Sequence, residues 1–190
     1  MQLNKFKVYH FVNEFNLTEL SQLSKNINII YRNYKNTSNL ETISKLKKYC
    51  KKNGHKFYLS NNFKHSIKLG LNGVYIPSFN KKINFVQNYC LPKNFKIIGS
   101  AHNTIEINLK IKQRCNEIFL SPIFKVNKSK NFLSVAKFNN LTLNNKINFI
   151  ALGGINEKNF KLTKLLNSKG FASISWAKKN GLRKLRPFII

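Results

Sequence analysis

A parallel (β/α)8 barrel is the fold this sequence predicts, on three observations. Strand-patterned and helix-patterned segments alternate along the whole chain with short links between them. About eight such units can be counted, the number that closes a barrel. The apolar run Ile150–Ala151–Leu152 stops at Gly153–Gly154, where the seventh strand should end and where barrels of this kind hold phosphate. The chain has 190 residues, fewer than the roughly 250 of a typical barrel. One compact domain over 1–190, with short helices, is therefore expected. An open doubly wound sheet is the other architecture that the same alternation allows.

The elements follow in order. Phe6–Val12 alternates and is rich in Val, Tyr and Phe, so it reads as a strand. Asn16 or Thr18 opens a helix through Lys25, with Leu17, Leu20 and Leu23 on one face. Asn28–Arg32 is a strand. Asn39 caps a helix over Leu40–Asn53, with Ile43, Leu46 and Cys50 at helical spacing, and Gly54 ends it. Lys56–Leu59 is a strand, Phe63–Leu69 a short helix, and Gly73–Ile76 a strand stopped by Pro77. Lys81–Cys90 is expected as a weak helix before Pro92. Lys96–Ser100 is a strand, Asn103–Arg114 a helix, and Glu117–Leu120 a strand ended by Ser121–Pro122. A basic loop, Lys125–Lys130, leads to a helix near Leu133–Asn140. Asn148–Leu152 is a strand, Glu157–Leu166 a helix that Asn156 could cap, Phe171–Ile174 a strand, and Leu182–Phe188 a last helix.

Composition narrows the function. Hydrophobic residues at 42% and aromatics at 13% describe a globular chain. No apolar run is long enough to span a bilayer and the first residues lack a signal-peptide pattern, so a cytoplasmic location is expected. The net charge is +28, which raises nucleic acid as a partner. The lysines are spread along the chain, however, and abundant Lys, Asn, Ile and Phe fit an AT-rich coding bias, so a solvated basic surface is the preferred reading. Cys50, Cys90 and Cys115 lie far apart without metal-ligand spacing and read as reduced thiols. Aspartate is absent altogether. The six acidic residues are all glutamates, which excludes a Ser-His-Asp triad and any mechanism resting on an Asp pair.

The expected strand ends carry His10 and Asn13, Arg32, Ser60 and Asn61, Tyr75 and Ser78, Ser100 and His102, Ser121, Gly153 and Gly154, and Ser175. Hydroxyls and amides dominate this set, which suits an anion. Arg32 is one of four arginines and offers the bidentate fork that fits phosphate. His102 is a candidate general acid/base, or else a cap for the helix it precedes. Lys125, Lys128 and Lys130 could fold over an anionic substrate or stand in solvent. His55 should lie on the opposite face of the barrel, and His65 on a surface helix.

Four segments resemble the thiamine phosphate synthase and TenI family. Gly70–Leu71–Asn72–Gly73–Val74–Tyr75–Ile76 is similar to its G-A-D-G-V-H-L. Ile97–Ile98–Gly99–Ser100–Ala101–His102–Asn103 resembles I-I-G-x-S-x-H-[ST], and Ile118–Phe119–Leu120–Ser121–Pro122–Ile123–Phe124 resembles Y-[VI]-x-x-G-P-[IV]-[FY]. Ala151–Leu152–Gly153–Gly154–Ile155 resembles A-[IL]-G-G-I. The resemblance implies a (β/α)8 barrel in thiamine biosynthesis that joins a hydroxymethylpyrimidine diphosphate to a thiazole phosphate with Mg²⁺. It would place thiazole phosphate on Gly153, Gly154 and Ser175, diphosphate on Arg32, Lys128 and Lys130, and Ser100 and His102 beside the reacting groups. Small phosphorylated thiazole and pyrimidine compounds are the implied partners.

The departures from the family pattern are specific. Asn61 stands in Leu59–Ser60–Asn61–Asn62, where the synthase has I-N-D-R, and Asn80 stands for the Asp of G-Q-x-D. A neutral amide lacks the charge with which a carboxylate holds Mg²⁺. Tyr34 takes the place of a lysine, and Val126 and Ser129 fall where the family has Thr and Lys. The TenI branch performs a thiazole tautomerisation without the synthase metal, and resembles this chain in keeping a histidine at the position of His102. A synthase, a metal-independent tautomerase and a silent phosphate-binding barrel all remain open at this point, with a basic nucleic-acid-binding protein as the outside alternative.

Overall fold

A computed structural model describes residues 6–35, 39–83, 89–127 and 131–173. Eight parallel strands close a barrel in sequence order. They are β1 (Lys7–Val12), β2 (Ile27–Tyr31), β3 (Phe57–Ser60), β4 (Gly73–Ile76), β5 (Lys96–Ala101), β6 (Glu117–Leu120), β7 (Asn148–Leu152) and β8 (Gly170–Ser173). Closure is direct: β1 pairs with β2 through Val8↔Ile27 on one side and with β8 through Val8↔Phe171 on the other.

Among the described residues, five α-helices cover the outside: α1 (Leu17–Ser21), α2 (Leu40–Asn53), α3 (Phe63–Lys68), α4 (Thr104–Lys112) and α5 (Ser134–Thr142). Asparagine starts four of them by one device. The side-chain oxygens of Asn16, Asn39, Asn62 and Asn103 accept from the backbone N–H three residues on, satisfying a donor with no partner inside the helix. Gly54, at φ +73°, closes α2 in the left-handed conformation.

Alternation along the strands divides two apolar layers. Tyr9, Phe11, Ile30, Tyr58, Tyr75, Ile98, Phe119 and Ile150 fill the barrel. Phe119 meets Tyr9 at 4.9 Å between ring centroids, Tyr75 at 5.7 Å and Phe11 at 6.0 Å, so the interior is a packed aromatic core rather than a pore. The intervening residues, such as Val8, Ile29, Leu59 and Ile118, face the helices.

The floor of the barrel, at the strand N-termini, is charged. Glu117 is 1% exposed. It accepts hydrogen bonds from Lys7, from Lys96 (3.2 Å) and from the Tyr9 hydroxyl. Burial pushes its carboxyl up, but the Lys7 and Tyr9 hydrogen bonds and the two ammonium charges outweigh that, and the pKa lies below the ordinary value. His55 sits at this same end, buried, with Nδ1 3.0 Å from the Ile27 carbonyl, and burial lowers its pKa.

Four sequence expectations need correction. Helix α1 ends at Ser21 rather than Lys25, where Leu23 N–H turns to the Leu20 carbonyl in a tighter i→i−3 bond. The expected helix over Lys81–Cys90 is irregular at 81–83 and 89–90, and 84–88 lie outside the described residues. Its first carbonyls are taken: Lys110 and Gln113 of the α4 region donate to Asn80 O, and Gln113 to Lys82 O, which removes acceptors from a helical ladder. The expected helix over Glu157–Leu166 is a turn followed by a 3₁₀ helix, Phe160–Leu165. Phe160, Thr163 and Leu166 are the buried positions, and a spacing of three matches the 3₁₀ period. Asn156 therefore caps no α-helix; its side chain accepts from Lys158 and Asn159 N–H within the turn. The fourth concerns His10. Its neighbours Tyr9 and Phe11 occupy the interior, so the His10 ring faces outward, with Nε2 2.7 Å from Glu19 of α1. The expected helix Leu182–Phe188 lies outside the described residues. Cys50, Cys90 and Cys115 are all free thiols.

Candidate functional site

The C-terminal ends of the strands carry four connected groups of side chains. The first lies in the barrel mouth. Arg32 directly follows β2, and its backbone N–H extends the ladder to Val12 O at 2.8 Å. Its guanidinium carbon stands 4.3 Å from the Phe11 ring centroid and 5.8 Å from that of Tyr34, so aromatic faces hold the charge at the opening. Tyr75 and Ser100 are buried beside it. Burial pushes the Tyr75 phenol up to about 12, although hydrogen bonding from Ser100 and Arg32 pulls the other way.

The second group is built on His102. Glu106 is the third residue of α4, and its carboxylate accepts the His102 backbone N–H at 2.8 Å, which fixes the residue just ahead of the helix. The ring Nδ1 is 2.7 Å from the Ser121 carbonyl oxygen and Nε2 is 3.2 Å from Ser78 Oγ. A carbonyl can only accept, so these partners assign the proton to Nδ1. Nε2, the other ring nitrogen, stands at an exposed edge of the rim.

The third group joins the loops after β3 and β4. Asn61, at φ +58°, holds the left-handed conformation that asparagine tolerates well. Asn80 Nδ2 donates to Asn61 Oδ1 at 2.6 Å, while Asn80 Oδ1 accepts from Lys82 N–H at 3.0 Å. This loop is anchored from below. Lys110 is fully buried, and its ammonium donates to Pro77 O (2.7 Å), Asn80 O (3.0 Å) and Gln113 Oε1 (2.9 Å). Burial lowers its pKa to about 8.

The fourth group is the turn after β7. Gly153 and Gly154 have φ of +91° and +73°. A Cβ on Gly154 would lie 2.5 Å from the Phe124 carbonyl oxygen, and one on Gly153 would lie 3.0 Å from Pro122. Both glycines are thus required by the close approach of this turn to the loop after β6. Gly154→Ala is expected to destabilise the fold by at least about 2 kcal/mol, from the left-handed φ plus a clash with backbone. Gly54→Ala, at φ +73° with nothing within 4 Å, should lose only about 1 kcal/mol. Urea midpoints of the two variants check the difference.

Arg32, Ser100, His102, Gly153 and Gly154 therefore all lie on one rim, with Asn61 and Asn80 between β3 and β4. Ser175, Lys128 and Lys130 lie outside the described residues. Sequence reasoning missed the Lys110–Gln113 anchor. Its signal was a lysine three residues after Ile107, on the buried stripe of α4. It also missed the contact between the Tyr34 and Phe79 rings, 5.4 Å apart at the mouth. Among the described residues no group of three His, Cys, Asp or Glu side chains is placed to hold a metal ion, and no helix is long and apolar enough to cross a membrane.

A closed parallel barrel with its polar side chains gathered at the strand C-termini defines the class: a (β/α)8 barrel with one functional rim. The sequence profile described as thiamine monophosphate synthase (TMP-TENI) matches residues 19–176, and the chain belongs to that family. Two proteins of Prochlorococcus marinus strains, each called thiamine-phosphate synthase, are similar to it. One is 27% identical over 164 residues, covering 83% of this chain and 47% of the relative; the other is 30% identical over 157 residues, covering 78% and 44%. The chain thus spans about half the length of these curated relatives. Among solved structures, a thiamine phosphate pyrophosphorylase from Pyrococcus furiosus superposes with a TM-score of 0.76 over 98% of both chains at 17% identity, which establishes the shared fold.

Proposed function

We propose that this protein is a thiamine-biosynthesis enzyme that binds a phosphorylated thiazole at the barrel rim and moves a proton on it without a metal. The observation that carries this reading is the assigned tautomer of His102. Nδ1–H is committed to the Ser121 carbonyl, so Nε2 is available to take a proton from one ring position and return it to another. Ser78 steadies Nε2. The Gly153–Gly154 turn offers backbone N–H groups at a surface without side chains, suited to the phosphate. Such a role belongs in the cytoplasm.

The family's Mg²⁺ does not fit the residues present. Asn61 and Asn80 are neutral and hydrogen-bonded to one another, whereas Mg²⁺ takes carboxylate and water oxygens.

A second reading, coupling of thiazole phosphate to a pyrimidine diphosphate, is favoured by the names of the relatives and by Arg32 at the mouth, where a fork could hold departing pyrophosphate. One pair of assays separates the two. Thiazole phosphate in D2O with EDTA should show proton exchange and tautomerisation by NMR. Both synthase substrates with Mg²⁺ should release no pyrophosphate. Pyrophosphate release that disappears in Arg32→Ala would instead establish the coupling reaction, and a thermal shift with neither turnover would make the barrel a binding protein.

A further inference from the structure

We infer that the cleft between the β3 and β4 loops binds an anionic phosphate group directly, with lysines and an interlocked amide pair standing where a divalent cation would otherwise be held. The inference is independent of which reaction His102 performs. It begins with the two amides. Their side-chain oxygens are the atoms that would face a cation, and each already accepts one hydrogen bond: Asn61 Oδ1 from Asn80, and Asn80 Oδ1 from the Lys82 backbone. A cation there would compete with these bonds and meet two neutral amides in place of carboxylate charge.

The surroundings reinforce this. The cleft has a volume of about 500 Å³ and is lined by Asn61, Lys64, Phe79, Asn80, Lys81 and Lys82, among others. Among the described residues three lysines and no carboxylate line it, so a dication is repelled and an anion attracted. Phe79, 60% exposed, adds a ring face on which a planar heterocycle attached to that anion can stack. The arrangement is rigid. Lys110 and Gln113 bind three backbone carbonyls of the β4 loop from inside, so the amide pair is held in place before any ligand arrives.

Inorganic pyrophosphate and Mn²⁺ are the probes. Pyrophosphate should bind the wild-type protein in EDTA by calorimetry, with an affinity that falls as salt rises and does not increase on adding Mg²⁺. Lys64→Gln combined with Lys81→Gln and Lys82→Gln should weaken it about tenfold. Mn²⁺ alone, followed by EPR, should not bind the wild type at millimolar concentration. Asn61→Asp with Asn80→Asp should bind it at least about tenfold more tightly than the wild type does. Pyrophosphate binding that requires Mg²⁺, binding unaffected by the three lysine changes, Mn²⁺ binding by the wild type, or no pyrophosphate binding under either condition would each overturn the inference. The wild-type and lysine measurements decide it even if the Asp variant does not fold. Loss of tautomerase activity would leave all of these results unchanged.

Discussion

His102→Ala is expected to slow proton transfer on the phosphorylated thiazole by about 10²–10⁴-fold, the span that a positioned general base contributes. The loss should fall on kcat more than on KM, because in the proposed reaction the imidazole acts on the reacting proton rather than on the phosphate. Two neighbours calibrate the effect. Ser121→Ala keeps the backbone carbonyl 2.7 Å from Nδ1 and removes only the longer 3.3 Å contact of the Ser121 hydroxyl with that atom, so its effect should be small. Ser78→Ala removes the hydroxyl 3.2 Å from Nε2 and should cost about tenfold. A large Ser121→Ala defect together with an active His102→Ala would remove the histidine from the chemistry. NMR exchange rates in D2O, measured for all three variants at matched thermal stability, read this directly.

Replacing both Lys7 and Lys96 by Met is expected to destabilise the protein by about 3–5 kcal/mol, more than replacing Glu117 by Gln. The reason is asymmetry of exposure. Glu117 is 1% exposed, whereas the two lysine side chains are 30% and 34% exposed. Without the glutamate the lysines can turn to water, and Gln still accepts from Tyr9. Without the lysines a buried carboxylate keeps only the Tyr9 hydroxyl. The pH dependence should change sign as well. In the wild type the folded pKa of Glu117 lies below its ordinary 4.5. Its stabilisation is thus present above pH 4.5 and is lost as the pH falls through the depressed folded value. In the double variant burial acts almost unopposed and the folded pKa rises above 4.5. That variant should be most stable below pH 4.5 and lose stability as the pH climbs through the raised value. Urea unfolding between pH 3 and 8 tests both statements, and parallel curves for the two proteins would refute them.

The barrel was legible because its signals are local. Alternation in Phe6–Val12, the apolar run ending Asn148–Leu152, the Asn39 cap and the Gly54 stop of α2 each act over a few residues, and the elements appear in the structure within a residue or so of where expected. The failures are tertiary. Residues 81–83 could not become helical once Lys110 and Gln113, about thirty residues away, claimed the Asn80 and Lys82 carbonyls. The turn after β7 gives way to a 3₁₀ helix because Phe160 and Thr163 bury against the barrel at a period of three. His10 is expected from the sequence at the end of β1, but it lies within that strand and faces α1, on the side opposite Tyr9 and Phe11. At the rim, the types and the strand of origin of Arg32, Ser100 and His102 could be read. The hydrogen bond between Asn61 and Asn80 could not, since the two come from different loops and meet only when β3 and β4 pair.

The aromatic filling of the barrel has an evolutionary consequence. Tyr9, Tyr58 and Phe119 cohere beneath the mouth through contacts that involve none of the rim loops. Substitutions of rim side chains that make no such core contacts can therefore alter reactivity without touching this packing. A lineage can lose the carboxylates of one reaction and keep the scaffold for another.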